Sequence, residues 1–171
     1  MRGSEIDASE YNSYYQGYVD LVNNLPLLDA LERGLENTQA FFASLPPSKL
    51  HYRYAENKWT PKDILQHIID TERVFAYRAL YFSRANNANL KGFDENEFAQ
   101  NTVANTRSID DLLQEYAAVR NANICLFRSF DKERLKLIGT ANNSIMSVAA
   151  AGFIICGHEI HHQIIIKERY L

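Results

Sequence analysis

Apolar side chains recur at alternating intervals of three and four residues in four long segments of the chain, a period typical of amphipathic helices. The first segment predicts a helix from Asn24 to about Ser44, with Pro26 in its opening turn and the Pro46-Pro47 pair beyond its end. Its apolar face consists of Leu28, Leu31, Leu35, Thr38, Phe42 and Leu45. This spacing is that of a helix in a bundle.

The second segment has the clearest helix start in the chain. In the sequence TPKD, Thr60 is the expected N-cap, Pro61 occupies the first helical position, and Asp63 completes a capping box. We expect this helix to continue to about Arg84. Its buried face follows the same spacing through Ile64, His67, Thr71 and Val74.

A third helix is predicted from Ser108, where SIDD provides an N-cap and a reciprocal acid at Asp111, to about Phe130. Its apolar face consists of Leu112, Tyr116, Val119, Asn123, Leu126 and Phe130. Asn123 is polar within this face, so it either faces a metal-binding cavity in the bundle or lies at the margin of the apolar stripe.

A fourth helix is expected to begin near Asn143 or Ser144 and to continue almost to Leu171. A short extra helix is also expected within YNSYYQGYVDLV, residues 11–22. Alternating β-branched runs are missing, so we expect an all-α four-helix bundle without a sheet. The predicted links of about 15 and more than 20 residues that precede helices two and three exceed those of simple hairpins, which favours a crossover topology with long loops.

The composition fits one domain over residues 1–171, because 46% of the residues are hydrophobic and can form a single core. A net charge of −3 and the lack of a basic run argue against binding to nucleic acid. The longest apolar stretch, residues 145–155, is shorter than the about 20 residues that a membrane helix requires. The N-terminus lacks the apolar segment of a signal peptide, so we expect a cytoplasmic protein.

Cys125 and Cys156 are expected to be reduced thiols in that compartment. The sequence has no CxxC motif, so a metal site would have to be made from histidines and carboxylates. We expect Cys156 to be a small buried side chain and not a ligand.

Three of the five histidines lie in GHEIHHQII near the end of the fourth helix. His158 and His162 are consecutive members of its predicted core positions, which are Val148, Ala151, Ile155, His158, His162, Ile165 and Arg169. Residues four apart lie on one helix face, and such a pair can provide two nitrogen ligands to one metal ion. Alternatively, the pair lies at the solvent edge and forms hydrogen bonds with Glu159 or water.

His67 on the second helix is the candidate for a third ligand, although a histidine in this position can also be an ordinary core residue. The three rings can meet only if the second and fourth helices are antiparallel, since a parallel pair would separate them by about 10–15 Å. We expect His161 to lie beside the site or on the surface. His51, in the loop LHYRYAENKW, has no neighbours that indicate a role.

Several other residues near these histidines have two interpretations. Asp70 and Glu72 are candidates to support the ligands or to act as a general base, but Glu72 can instead pair with Arg73 or Arg78. Trp59 is expected to pack on Ile64 before the helix or to line a pocket, and Glu159 to be solvated or ion-paired.

Two motifs together resemble a known family. WTPKDILQHIIDTERVFAYR is similar to the second-helix signature of the DinB-like (damage-inducible) family of bacterial four-helix-bundle metalloproteins, and HEIHHQIII to its final-helix motif. The resemblance implies that His67, His158 and His162 bind a divalent metal, typically nickel or zinc, with water in the open positions. It also implies that the acidic segment 93–101 closes one end of the bundle, and that the protein forms a homodimer.

Members of that family include S-transferases and isomerases that use low-molecular-weight thiols such as bacillithiol or mycothiol, as well as hydrolases. The resemblance therefore implies a metal-dependent transferase or hydrolase that acts on a small molecule, with a thiol as a candidate co-substrate. The catalytic residues stay unassigned. The alternative is a stress-response protein that binds a metal or a small ligand without turnover.

Overall fold

The computed structural model describes residues 1–22 and 24–171. Its helices are α1 (Gln16–Leu21), α2 (Leu27–Ala43), α3 (Pro61–Arg84), α4 (Glu95–Asn101), α5 (Ile109–Arg128), α6 (Lys132–Leu135) and α7 (Val148–Arg169). The four long helices α2, α3, α5 and α7 form a four-helix bundle, which confirms the predicted fold class. Helix α1 is the short helix that was expected within residues 11–22. No helix in the described ranges is both long and apolar enough to cross a membrane.

The bundle has a crossover arrangement. Helix α2 packs against α5 and α7, and α3 packs against the same two helices. Helices α2 and α3 therefore lie at diagonally opposite corners of the bundle, although they are consecutive long helices in the sequence. The connection from α2 to α3, residues 44–60, crosses one end of the bundle, which accounts for its length.

The capping residues fix where two of the long helices begin. The Thr60 hydroxyl accepts a hydrogen bond from the Asp63 amide at 3.1 Å, and the Asp63 carboxylate accepts one from the Thr60 amide at 3.0 Å. Ser108 accepts from the Asp111 amide at 3.1 Å, as predicted. The Asp111 carboxylate was expected to accept a hydrogen bond from the Ser108 amide, but it instead accepts one from Arg107 Nε at 2.6 Å.

A small sheet corrects the prediction of a purely helical chain. Strands β1 (Asn89–Leu90), β2 (Ile138–Ala141) and β3 (Ser144–Ser147) lie in that order, with β1 parallel to β2 and β2 antiparallel to β3. The turn between β2 and β3 is Asn142-Asn143, with φ values of 51° and 58°. Asparagine tolerates this left-handed conformation, which a tight hairpin requires.

The last helix therefore begins later than predicted. Residues 144–147 form β3, and Ser147 is the N-cap, since its hydroxyl accepts a hydrogen bond from the Ala150 amide at 3.0 Å. The predicted seam of this helix is also wrong at its end. Arg169 is exposed, whereas Ile166 and Tyr170 are buried.

Helices α3 and α7 are antiparallel, as a three-histidine site requires. The Tyr170 hydroxyl, just beyond α7, donates to the carbonyl of Trp59, just before α3, at 2.6 Å. At the other end, Gly139 in the hairpin before α7 lies against Phe82 near the end of α3. The first third of α3 consequently lies beside the second half of α7.

Candidate metal centre

Three histidine side chains from these two helices converge in the bundle. The Nε2 atom of His158 lies 3.0 Å from Nε2 of His67 and 3.0 Å from Nε2 of His162. One nitrogen from each residue lies within 4.8 Å of the others. His67 and His158 are buried, and His162 is partly exposed.

The donor set fits a divalent metal. Burial lowers the pKa of His67 to about 4, and it lowers the pKa values of His158 and His162 well below the usual range. The rings are therefore neutral, and three neutral nitrogens facing one another cannot all be satisfied by sharing protons. Nitrogens bound tetrahedrally to one zinc ion at about 2.0–2.1 Å lie about 3.3 Å apart, which is close to the observed separations of 3.0 Å.

Aromatic and hydroxyl groups hold the rings in place. The Trp59 ring lies 4.6 Å from the His67 ring, and the Tyr18 ring lies edge-on to His158 at 5.6 Å. The Thr71 hydroxyl lies 3.5 Å from Nδ1 of His67. Trp59 lines the cavity beside the histidines and also packs against the core cluster that contains Ile64, so both of its interpretations hold. Tyr18 was missed, because its only signal was its place in a tyrosine-rich segment.

The three histidines form part of the wall of a cavity of about 200 Å³. The rest of the wall is mainly aromatic, and it consists of Tyr14, Tyr15, Tyr18, Trp59, Thr71, Phe75, Phe93, Glu95 and Ile154. Among the described lining residues, Glu95 is the one carboxylate. Glu95 and Phe93 belong to the acidic segment 93–101, so part of this segment does border the site.

Two histidines lie outside the group. His161 is partly buried, and its ring lies edge-on to the ring of Tyr18 at 5.3 Å and to that of His162 at 5.3 Å. His51 is exposed in the loop before α3.

The sequence profile of the DinB superfamily matches residues 30–166, a range that contains α3, α5, most of α2 and α7, and all three histidines. The chain belongs to the DinB superfamily. Among solved structures, YfiT from Bacillus subtilis aligns with a TM-score of 0.75 and 17% identity over 83% of this chain and 82% of that one. YfiT is described as a probable metal-dependent hydrolase with an unusual four-helix bundle topology. At this identity the likeness establishes the shared fold. A search of curated proteins gives no match.

A buried ionic network lies in the bundle of this DinB-superfamily protein. Arg120 on α5 donates to the Glu72 carboxylate on α3 at 2.7 and 2.9 Å, and to the Glu159 carboxylate on α7 at 3.0 and 2.8 Å. A further bond to the Leu31 carbonyl at 3.1 Å occupies its fifth N–H. Glu72 thus pairs with Arg120 and not with Arg73 or Arg78, the partners that the sequence suggested.

Hydroxyl and amide groups complete the network. Glu159 accepts hydrogen bonds from Tyr116 at 2.6 Å and from Thr38 at 2.9 Å, while Glu72 accepts one from Asn123 at 3.1 Å. Asn123 is therefore buried against this network; it is not at the margin of its stripe, and the described lining of the cavity at the histidines does not include it. Glu159 is ion-paired, the second of its predicted states. Because Glu159 follows His158, these bonds also fix the rotation of α7 that presents His158.

The remaining candidates lie away from the histidines. Asp70 accepts a hydrogen bond from Gln66 at 3.0 Å and lines a separate cavity with residues of α4. Burial raises the pKa of Asp70 and also that of the Cys156 thiol. Cys156 is a buried apolar residue, as predicted, and Cys125 is exposed.

Gly157 permits the close contact that places Tyr18 beside the site. A β carbon at this position would overlap the backbone carbonyl of Tyr18. We predict that Gly157→Ala displaces α1, costs about 1–3 kcal/mol of stability and weakens metal binding. Urea unfolding and a metal titration test this prediction. Gly17→Ala is the control, since a β carbon on Gly17 in α1 meets nothing within 4 Å, and its stability should equal or exceed that of wild type.

Proposed function

We propose that the protein is a metal-dependent enzyme that binds a divalent ion, nickel or zinc, through His67, His158 and His162 and transfers a group of a small molecule to water or a thiol. The reaction is then a hydrolysis or a thiol S-transfer. The convergence of the three Nε2 atoms at the wall of a cavity is the observation that supports this proposal. The metal-ligating group contains three described side chains, which leaves coordination positions for substrate.

A divalent ion, when bound, supplies Lewis acidity and favours the ionised form of a nucleophile. The protein keeps its three ring nitrogens neutral by burial, as metal ligation requires. Trp59, Tyr18 and Thr71 restrict the orientations of the rings. The aromatic wall excludes water and accommodates an apolar part of the substrate.

In this proposal the attacking nucleophile is water or a thiol, and neither the cysteine nor the two carboxylates considered from the sequence takes that role. Cys156 is buried and is absent from the described lining of the cavity, and burial raises the pKa of its thiol. Glu72 is held by Arg120, and Asp70 lines another cavity. Glu95 is the carboxylate in the described lining that is placed to accept a proton from water or a thiol.

Metal analysis and a substrate panel test the proposal. We expect purified protein to contain close to one divalent ion per chain. We also expect the metal-loaded form, but not the chelated form, to process an ester, an amide or a thiol with an electrophile. A loaded protein that processes nothing on the panel would favour the alternative, a metal- or ligand-binding protein without turnover. Protein that takes up no ion would contradict both.

A further inference from the structure

Arg78 on α3 is a buried cation that forms no ion pair with an acidic residue in the part of the chain that the structure describes. Its side chain is 4% exposed, yet the ion pairs among the described residues do not include it. Its guanidinium carbon lies 4.7 Å from the ring centre of Phe75 and 5.8 Å from that of Phe93. Burial lowers the pKa of Arg78, and the neighbouring Tyr15 hydroxyl opposes that shift through its charge and a hydrogen bond, which uses at most part of the five N–H donors. Buried arginines are normally paired, so this one has donors to offer a ligand.

Arg78 also lines a second cavity, of about 370 Å³. This cavity shares part of its wall with the cavity at the histidines, namely Tyr14, Tyr15, Phe93 and Glu95. Its other polar lining residues are Asn12, Asn142 and Ser144. A molecule that occupies both cavities would extend from the histidines to the guanidinium.

We propose that Arg78 binds a carboxylate group of the small molecule whose reacting end lies at the three histidines. The planar guanidinium matches a carboxylate with two parallel hydrogen bonds, and burial strengthens them. The identity of the reacting end rests on the proposed function, whereas carboxylate binding at Arg78 does not. The substrate class is therefore a small carboxylic acid with an apolar middle that fits the aromatic wall.

One feature of the structure opposes carboxylate binding at Arg78, and another offers a different explanation for the buried arginine. Glu95 lines both cavities and would repel a carboxylate, but it is exposed, so water screens its charge. The rings of Phe75 and Phe93 alone could account for Arg78 through cation–π contacts. These features define the variants that test the proposal.

Calorimetric titration tests the site in full-length protein, both loaded with metal and stripped of metal by a chelator. The ligands are succinate and, as its uncharged analogue, succinamide. We expect succinate to bind both forms and succinamide to bind more weakly. Arg78→Met should weaken succinate binding about tenfold or more, the loss expected for a charge-assisted hydrogen-bonded pair. Glu95→Gln should strengthen it. Arg84→Met is the matched control, because Arg84 on the same helix contacts a ring of Phe130 outside this cavity.

Arg78→Lys is the second variant, for use if Arg78→Met fails to fold. Lysine retains the positive charge but lacks the two parallel donors of the guanidinium, so Arg78→Lys should bind succinate more weakly than wild type. Equal affinities in wild type and either Arg78 variant would overturn the proposal, as would no binding by wild type. Binding that chelation abolishes and Arg78→Met leaves intact would assign the anion to the metal, which contradicts this site but not the metal centre. Arg78-dependent binding by protein that takes up no metal would support this site and refute the proposed function.

Discussion

Replacing His158 with alanine is expected to abolish stoichiometric metal binding and, with it, any metal-dependent turnover. His158 is the central member of the group, since its Nε2 atom lies 3.0 Å from those of both His67 and His162. Its loss leaves two nitrogens on different helices. We expect metal affinity to fall by more than the about 10–100-fold that follows loss of an outer-shell partner. Metal content after dialysis and a competition titration with a chromophoric chelator measure the effect.

His161→Ala is the control for that variant. His161 is on the same helix and its ring lies edge-on to the His162 ring at 5.3 Å, but it is outside the converging group. We expect His161→Ala to retain a full complement of metal. If His158→Ala also kept one ion per chain, or if both variants lost it equally, the proposed ligand set would be wrong.

Much of the bundle was readable from the sequence because its determinants are local. The spacing of apolar residues predicted the four long helices, and the TPKD motif identified the start of α3 at its actual residue. The convergence of His67 with His158 and His162 could be anticipated because residues four apart share a helix face. The sequence did not predict the antiparallel pairing of α3 and α7, which was only a condition for a three-histidine site. That pairing depends on contacts between segments that are distant in the chain.

The features that were missed depend on such distant contacts. The hairpin of β2 and β3 has four-residue strands, too short for a clear alternating pattern. The predicted helix start near Asn143 or Ser144 instead falls at the end of its turn and the beginning of β3. Arg120 lies beside the apolar stripe of α5, and nothing local indicated that two carboxylates from other helices would surround it. The same holds for Arg78, whose contacts with Phe93 bring together residues on either side of β1.

The second large effect is expected at Arg120, where Arg120→Met should destabilise the fold by about 3–5 kcal/mol. Burial alone would lower the pKa of Arg120, but Glu159 and Glu72 raise it well above the usual value, so the guanidinium stays charged. Its removal leaves two carboxylates with side chains only 2% and 1% exposed and no counter-charge. Urea unfolding monitored by circular dichroism measures the loss.

A variant of an exposed ion pair is the control, because it shows whether the effect at Arg120 comes from the burial of its partners or from the loss of any ion pair. Arg128→Met breaks the pair of Arg128 with Glu32, whose side chains are 58% and 53% exposed, and should cost less than about 1 kcal/mol. Adding Glu72→Gln and Glu159→Gln to Arg120→Met removes the stranded charges and should recover part of the stability. A loss at Arg120 no larger than that at Arg128, or no recovery in the triple variant, would contradict the view that unpaired charge is what the buried arginine prevents.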